Sequence, residues 1–433
     1  MQSIVFIDSE IRVDNGTIAD LGAVNSDNAQ FHANDRQAFS KFVKGSDFVC
    51  GHNIIHHDLK YIRDLIDDES QPEYIDTLYL SPLLFPRKPY HNLVKDDKLQ
   101  SDELNNPLND AIKARDLFYD EVNAFQSLSS KMKWIFCALL YPFEEFQGFF
   151  KYVGFRPYPL YAYAIKLEFE GKICANADID LLINHYPREL AYALAIINCD
   201  DRNSLTPPWI LKNFPNVENV IKILRYTPCE SGCKYCSSRL DVHKQLKNFF
   251  GFDEFRTYEG EPLQERAAKA AVQGKSLLVI FPTGGGKSIT FQLPALIAGE
   301  VEHGLTVIIS PLQSLMKDQV DNIVALGLAE AVMINGMLDP LERKDAVARV
   351  ANGTASMLYI SPEQLRSKTI EHLLLSRNIV RIVIDEAHCF SAWGQDFRVD
   401  YLYIGKFIRE LQKKKSRQHQ FRYRALQLQQ NLR

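Results

Sequence analysis

Short unbroken apolar runs punctuate this chain, and several of them end on residues that carry charge. Leu277-Leu-Val-Ile-Phe281 is the plainest case. An apolar run of strand length with no alternation reads as a buried strand, and the turn after it gives way to a helix start from Ile289. Arg381-Ile-Val-Ile-Asp385 repeats the pattern, as a strand ending on the adjacent carboxylates Asp385 and Glu386. Near the N-terminus, Ser3-Ile-Val-Phe-Ile-Asp8-Ser-Glu10 predicts a short strand on which Asp8 and Glu10 point to one face. Phe48 to Asp58 reads as strand, turn and helix start, and Asn105 to Phe118 as a helix with Asp110 near its beginning. Residues 126–228 mix aromatic and aliphatic positions at irregular spacing, with turns at Pro207, Pro208 and Pro215. They predict a connecting, mainly helical module.

The turn after Phe281 is Pro282-Thr283-Gly284-Gly285-Gly286-Lys287-Ser288. Three consecutive glycines let backbone N–H groups turn inward around a phosphate chain, with Thr283 beside them. Lys287 would place a point charge on the outer phosphates, and the Ser288 hydroxyl would sit on Mg²⁺. Such a loop needs a partner acid for the metal and a group to orient the attacking water. Asp385 and Glu386 fit those roles. Both motifs require a strand followed by a loop, and their order along the chain predicts a site for a nucleoside triphosphate and its Mg²⁺ on one sheet.

Asp8, Glu10, Asp58 and Asp110 are carboxylates from three separate segments, the number and type that a two-metal phosphodiester hydrolase uses to hold Mg²⁺ or Mn²⁺. Asp8 also ends an apolar strand, where an unpaired charge is costly. Residues 1–125 resemble the DnaQ-like (DEDD) 3′–5′ exonuclease family, through Phe6-Ile-Asp8-Ser-Glu10, Gly51-His-Asn53 with Asp58, and Asp110. The resemblance implies an RNase H-like fold and makes those four acids the metal ligands. It breaks at Asn105, where the family has a histidine as general base; asparagine cannot take a proton at neutral pH. His56, His57 and His91 are the candidates to replace it.

Cys229-Glu-Ser-Gly-Cys233-Lys-Tyr-Cys236 brings three thiols into one tight stretch, with His243 following. Crowded thiolates repel unless a cation sits among them, so residues 229–250 predict a metal-binding segment. Cys229, Cys233, Cys236 and His243 would close a tetrahedral site, with Asp241 competing for the fourth place. Zinc is the first choice and an iron–sulfur cluster the second.

Residues 251–418 carry further motifs: Phe255-Arg256 with Gln264, Val307 to Val320 including Ser310, Tyr359-Ile-Ser-Pro-Glu363, and Asp385-Glu-Ala-His388. Directly after come Trp393, Gln395, Phe397 and Arg398. This segment resembles the first RecA-like domain of a RecQ-type superfamily 2 DNA helicase. The resemblance makes the nucleotide ATP and the sheet parallel. It makes Gln264 the reader of adenine, Ser310 part of the contact to the DNA backbone, and 391–401 the aromatic-rich loop. Trp393 and Phe397 offer stacking faces to single-stranded bases, and Arg398 a charge beside them. It implies DNA as partner, single-stranded or as a 3′-tailed duplex. Gln395 stands where the family has histidine.

Length and composition set bounds on this reading. A chain of 433 residues with 46% hydrophobic content predicts two to four domains with several cores. The net charge of −4 excludes a global basic field, so any nucleic-acid surface is local. Eight cysteines, scattered apart from the one trio, argue against a disulfide framework. With no signal peptide and no apolar run of membrane-spanning length, the expectation is a cytoplasmic protein, nucleoid-associated if bacterial. Residues 419–433 lack helicase character. With suitable codons, Gln420 to Gln430 read two bases on spells Ile-Pro-Val-Ser-Cys-Phe-Thr-Ala-Thr-Ala, the motif the family has next. The expectation is a chain shifted out of frame near His419, without the second motor domain that supplies an arginine finger. Such a chain would bind nucleotide but turn it over slowly.

Overall fold

The computed structural model describes residues 2–418 apart from 13, 15, 67–70, 94–105, 200–204, 230–231, 283 and 391–398. Two compact units divide the chain: Met1–Glu168 with Ile179–Ala195, and Phe169–Asp178 with Ile196–Arg433. The stretch 126–228, expected as one module, is mainly helical and is shared between them.

In the first unit a five-stranded sheet is built from β1 (Ile4–Ile11), β2 (Ile18–Asn25), β3 (Gln30–His32), β4 (Phe48–Gly51) and β5 (Glu73–Asp76), in the order β3-β2-β1-β4-β5. The β1–β2 and β2–β3 pairs are antiparallel; β1–β4 and β4–β5 are parallel. β1 is central, and its alternation sends Val5 and Ile7 into one core while Phe6 meets Phe118 on the other face, ring centroids 5.5 Å apart. Phe118 lies on the Pro107–Ser127 helix, which Asn106 caps by accepting from the Leu108 and Asn109 amides. That helix begins hard against β2. A Cβ at Gly22 would lie 2.1 Å from the Leu108 nitrogen, so only glycine permits the approach. Gly22 is the register partner of Asp8, and the helix start therefore runs beside the strand that carries the acids.

The second unit holds a four-stranded parallel sheet of β6 (Leu305–Ile309), β7 (Ala331–Ile334), β8 (Met357–Ile360) and β9 (Ile379–Ile384), ordered β7-β8-β6-β9. Helices joining parallel strands cover both faces, which explains why β6 and β8 read as continuous apolar runs and are buried throughout. The run at 277–281 departs from expectation. It forms no strand, and Leu278 and Ile280 are 78% and 80% exposed. The physical reason is pairing: apolar β-formers become a strand only against a neighbour, and among the described residues no ladder reaches this run.

Candidate nucleotide site and cysteine cluster

The glycine-rich turn leads from 277–281 into the Ile289–Glu302 helix. Gly284 and Gly286 sit at φ +74° and +69°, in the left-handed region that side-chain-bearing residues avoid. A Cβ at Gly285 would meet the Pro282 carbonyl oxygen at 2.7 Å, and one at Gly286 the Gln264 Nε2 at 2.7 Å. The turn is thus bare backbone, and three side chains hold it from one flank. Arg256 Nη1 donates to the Gly284 carbonyl at 2.9 Å, Tyr258 Oη donates to the Gly285 carbonyl, and Gln264 Nε2 donates to the Gly286 carbonyl at 2.9 Å. The Tyr258 ring stacks on Phe281, centroids 4.4 Å apart. Its carbonyls are engaged in this way and the Gly285 N–H donates to the Pro282 carbonyl at 2.9 Å, so the Gly286 and Lys287 N–H groups are the ones an anion would meet. At the helix start Ser288 makes no side-chain capping bond, so its hydroxyl is not spent on the helix.

Gln264 differs from the expected reader of a base. It is buried, accepts from the Arg256 amide at 2.8 Å and braces Gly286, so both ends of its amide are engaged in the loop's own framework.

Asp385 stands at the carboxyl end of β9, and its amide donates to the Ile309 carbonyl of β6 at 2.9 Å. Burial pushes its carboxyl above the usual carboxylate range, and the adjacent Glu386 charge adds to this; Ser310 and the Lys287 ammonium act in the opposite sense. Glu386 takes φ +52°, a left-handed conformation costing a non-glycine residue about 1–2 kcal/mol, which turns the chain directly after the acid. Tyr401 Oη donates to the Asp385 carbonyl oxygen at 3.0 Å, a support the sequence did not announce. Ser310, expected at the DNA backbone, is 1% exposed and donates from Oγ to Asp385 Oδ2 at 3.3 Å, so it positions the acid. Thr283, Trp393, Gln395, Phe397 and Arg398 lie outside the described residues.

A bare glycine turn at a helix start, a lysine, and an acid at the end of a neighbouring strand suit a phosphate chain with its magnesium. Ser288 and Asp385 are the residues that would hold the metal, and Lys287 the one that would meet the outer phosphates.

Residues 261–422 match the DEAD/DEAH box helicase family. Over 171 residues the chain is 43% identical to ATP-dependent DNA helicase Q5 of Rattus norvegicus, covering 38% of this chain and 17% of that protein. It is 41% identical over 175 residues to ATP-dependent helicase SGS1 of Saccharomyces cerevisiae, 39% of this chain and 12% of that one. It is 42% identical over 166 residues to ATP-dependent DNA helicase RecQ of Pasteurella multocida, 38% and 24% respectively. The similarity thus spans a minor part of each relative. All the bracing contacts except those of Arg256 and Tyr258 fall inside the helicase match.

The helicase-like stretch does not include the cysteines. Cys229, Cys233 and Cys236 converge as expected, but the fourth sulfur beside them belongs to Cys174. His243 is turned elsewhere: its Nε2 pairs with Glu265 Oε1 at 2.9 Å. Asp241 caps the Val242–Phe250 helix by accepting from the Lys244 amide, which accounts for that acid too.

In the first unit Asp58 is drawn to β1. Its Oδ1 accepts from the Ser9 amide at 3.0 Å and from Ser9 Oγ at 2.5 Å, between Asp8 and Glu10 in sequence. Asp110 lies in the first turn of the Pro107–Ser127 helix, 4.0 Å from Lys113 Nζ. Among the described residues, no three of these acids bring carboxylate oxygens within 4.8 Å of one another. The four acids are therefore not gathered around a single ion, with Asp58 engaged by Ser9. Of the replacements for a histidine at 105, a position outside the described residues, His57 Nδ1 lies 3.5 Å from Asp58 Oδ2. His56 lies 3.9 Å from Glu145, and His91 is buried against Ser81. Among the described residues no helix is long and apolar enough to cross a membrane.

Proposed function

We propose that residues 251–418 are a RecA-like nucleotide-binding domain of a RecQ-type ATP-dependent DNA helicase. The observation that carries this reading is the glycine turn at the start of the Ile289–Glu302 helix, bearing Lys287 and Ser288, together with Asp385 at the end of β9 held by Ser310 and Tyr401. The similarity of this stretch to DNA helicases supports DNA as the partner. Bound magnesium would neutralise charge building on the transferred phosphoryl group. Lys287 binds and orients the outer phosphates, Ser288 and Asp385 hold the metal, and Ser310 and Tyr401 keep Asp385 in place. Glu386 orients the attacking water. The test is fluorescent-ATP binding and phosphate release with and without single-stranded DNA, beside Lys287→Ala. Loss of both signals in the variant is expected; undiminished DNA-stimulated release would refute the assignment.

A second reading concerns residues 1–125. The β3-β2-β1-β4-β5 order and the contact of Asp58 with the strand bearing Asp8 and Glu10 favour an RNase H-like 3′–5′ exonuclease domain. Release of nucleotides from a 3′ end with Mg²⁺ or Mn²⁺, abolished by Asp8→Ala, is the expected result. Release that persists in the variant would refute it.

A further inference from the structure

Four thiols meet in the second unit, and they come from two segments far apart in sequence. The Sγ atoms of Cys174, Cys229, Cys233 and Cys236 all lie within 4.8 Å of one another, with Cys174 and Cys233 3.8 Å apart across 59 positions of chain. Cys174 and Cys236 are buried, and the other two are partly so. Gly232, at φ +62°, makes the turn that delivers Cys233. The Cys233 amide donates to Cys229 Sγ at 3.3 Å. Backbone N–H groups of Ala175 and Cys236 are directed at the Cys233 sulfur, and that of Asn176 at Cys174. Amides donating to sulfur are the outer-shell contacts that a metal-bound cysteine uses.

We infer that Cys174, Cys229, Cys233 and Cys236 form a tetrathiolate site for a single zinc ion. The spacing decides between metals. Four thiolates around one zinc at about 2.3 Å stand about 3.8 Å from each other, the edge of a tetrahedron. The observed cluster is close to that edge. An iron–sulfur cubane places each thiolate on a different iron and spreads them much further. With four sulfurs in place no coordination position is open to water, so the site is structural. It would clip Phe169–Asp178 to Cys229, Cys233 and Cys236, beside the bond from the Cys174 amide to the Leu224 carbonyl at 2.7 Å. The inference is independent of the nucleotide reading, because it rests on different residues, outside the 261–422 helicase match.

The experiment is metal analysis of the whole chain, purified without added metal, by mass spectrometry, with the visible spectrum of the cobalt-substituted protein. About one zinc per chain is expected, together with intense thiolate-to-cobalt bands. Cys174→Ser should lose the zinc, and His243→Ala should keep it. If Cys174→Ser is insoluble, the cobalt spectrum of the unaltered chain still separates four sulfurs from three sulfurs and a nitrogen. Iron with acid-labile sulfide, a metal-free chain with intact thiols, or zinc lost on His243→Ala and kept on Cys174→Ser would each overturn the inference.

Discussion

Gln264→Ala separates two roles that the same residue type can play. If Gln264 read adenine, its loss would weaken ATP and leave GTP untouched. The structure instead gives its amide to the loop: its Oε1 accepts from the Arg256 amide and its Nε2 donates to the Gly286 carbonyl. Each such bond contributes about 1 kcal/mol net, and burying the orphaned partners raises the cost further. Two bonds make about 2 kcal/mol, which at 1.4 kcal/mol per decade is roughly 30-fold in affinity if the loop must be ordered to bind.

The expected outcome is therefore a loss of similar size for both nucleotides. Titration of the variant with fluorescent ATP and fluorescent GTP measures it directly. Urea unfolding alongside should show the helicase-like unit still folded, because the deleted contacts lie at the edge of a turn and not in the sheet. A selective loss for ATP, with GTP binding unchanged, would refute the bracing role and restore the base-reading one.

Two other predictions test burial. Glu121 is fully enclosed, with neither carboxylate oxygen hydrogen-bonded among the described residues. Burial, with Asp76 adding to it, raises its folded pKa well above 4.5, so its neutral form is the folded one. Stability from this group is fully present below the unfolded value and is lost as pH rises toward the folded one. Urea unfolding from pH about 4.5 to about 8 should show the advantage of Glu121→Leu over the unaltered chain growing with pH; a pH-independent difference would refute it. Leu278→Ser with Ile280→Ser should shift stability by less than about 1 kcal/mol, since both side chains face solvent. A loss of several kcal/mol on urea unfolding would mean that the run is buried after all.

What could be read from the chain followed from how local the physics is. β9 announced itself as an apolar run of strand length, and Asp385 stood out because a charge ending such a strand needs a purpose. The glycine turn was legible for the same reason: positive φ at Gly284 and Gly286 is a property of single residues. Cys174 was not legible. Nothing near Lys172-Ile-Cys174-Ala distinguishes it from an ordinary buried cysteine, and only folding across 59 positions brings it to Cys233. His243 looked the better ligand because it was close in sequence, yet Glu265, reached only through the fold, takes its ring nitrogen. The run at 277–281 makes the same point from the other side. Its composition specifies a strand in every residue, but strand formation is decided by the neighbour, and a neighbour is the one thing a local pattern does not contain. The orientation of Gln264 is a case of the same kind: sequence places it ahead of the phosphate loop, and the carbonyl it meets depends on where the loop turns.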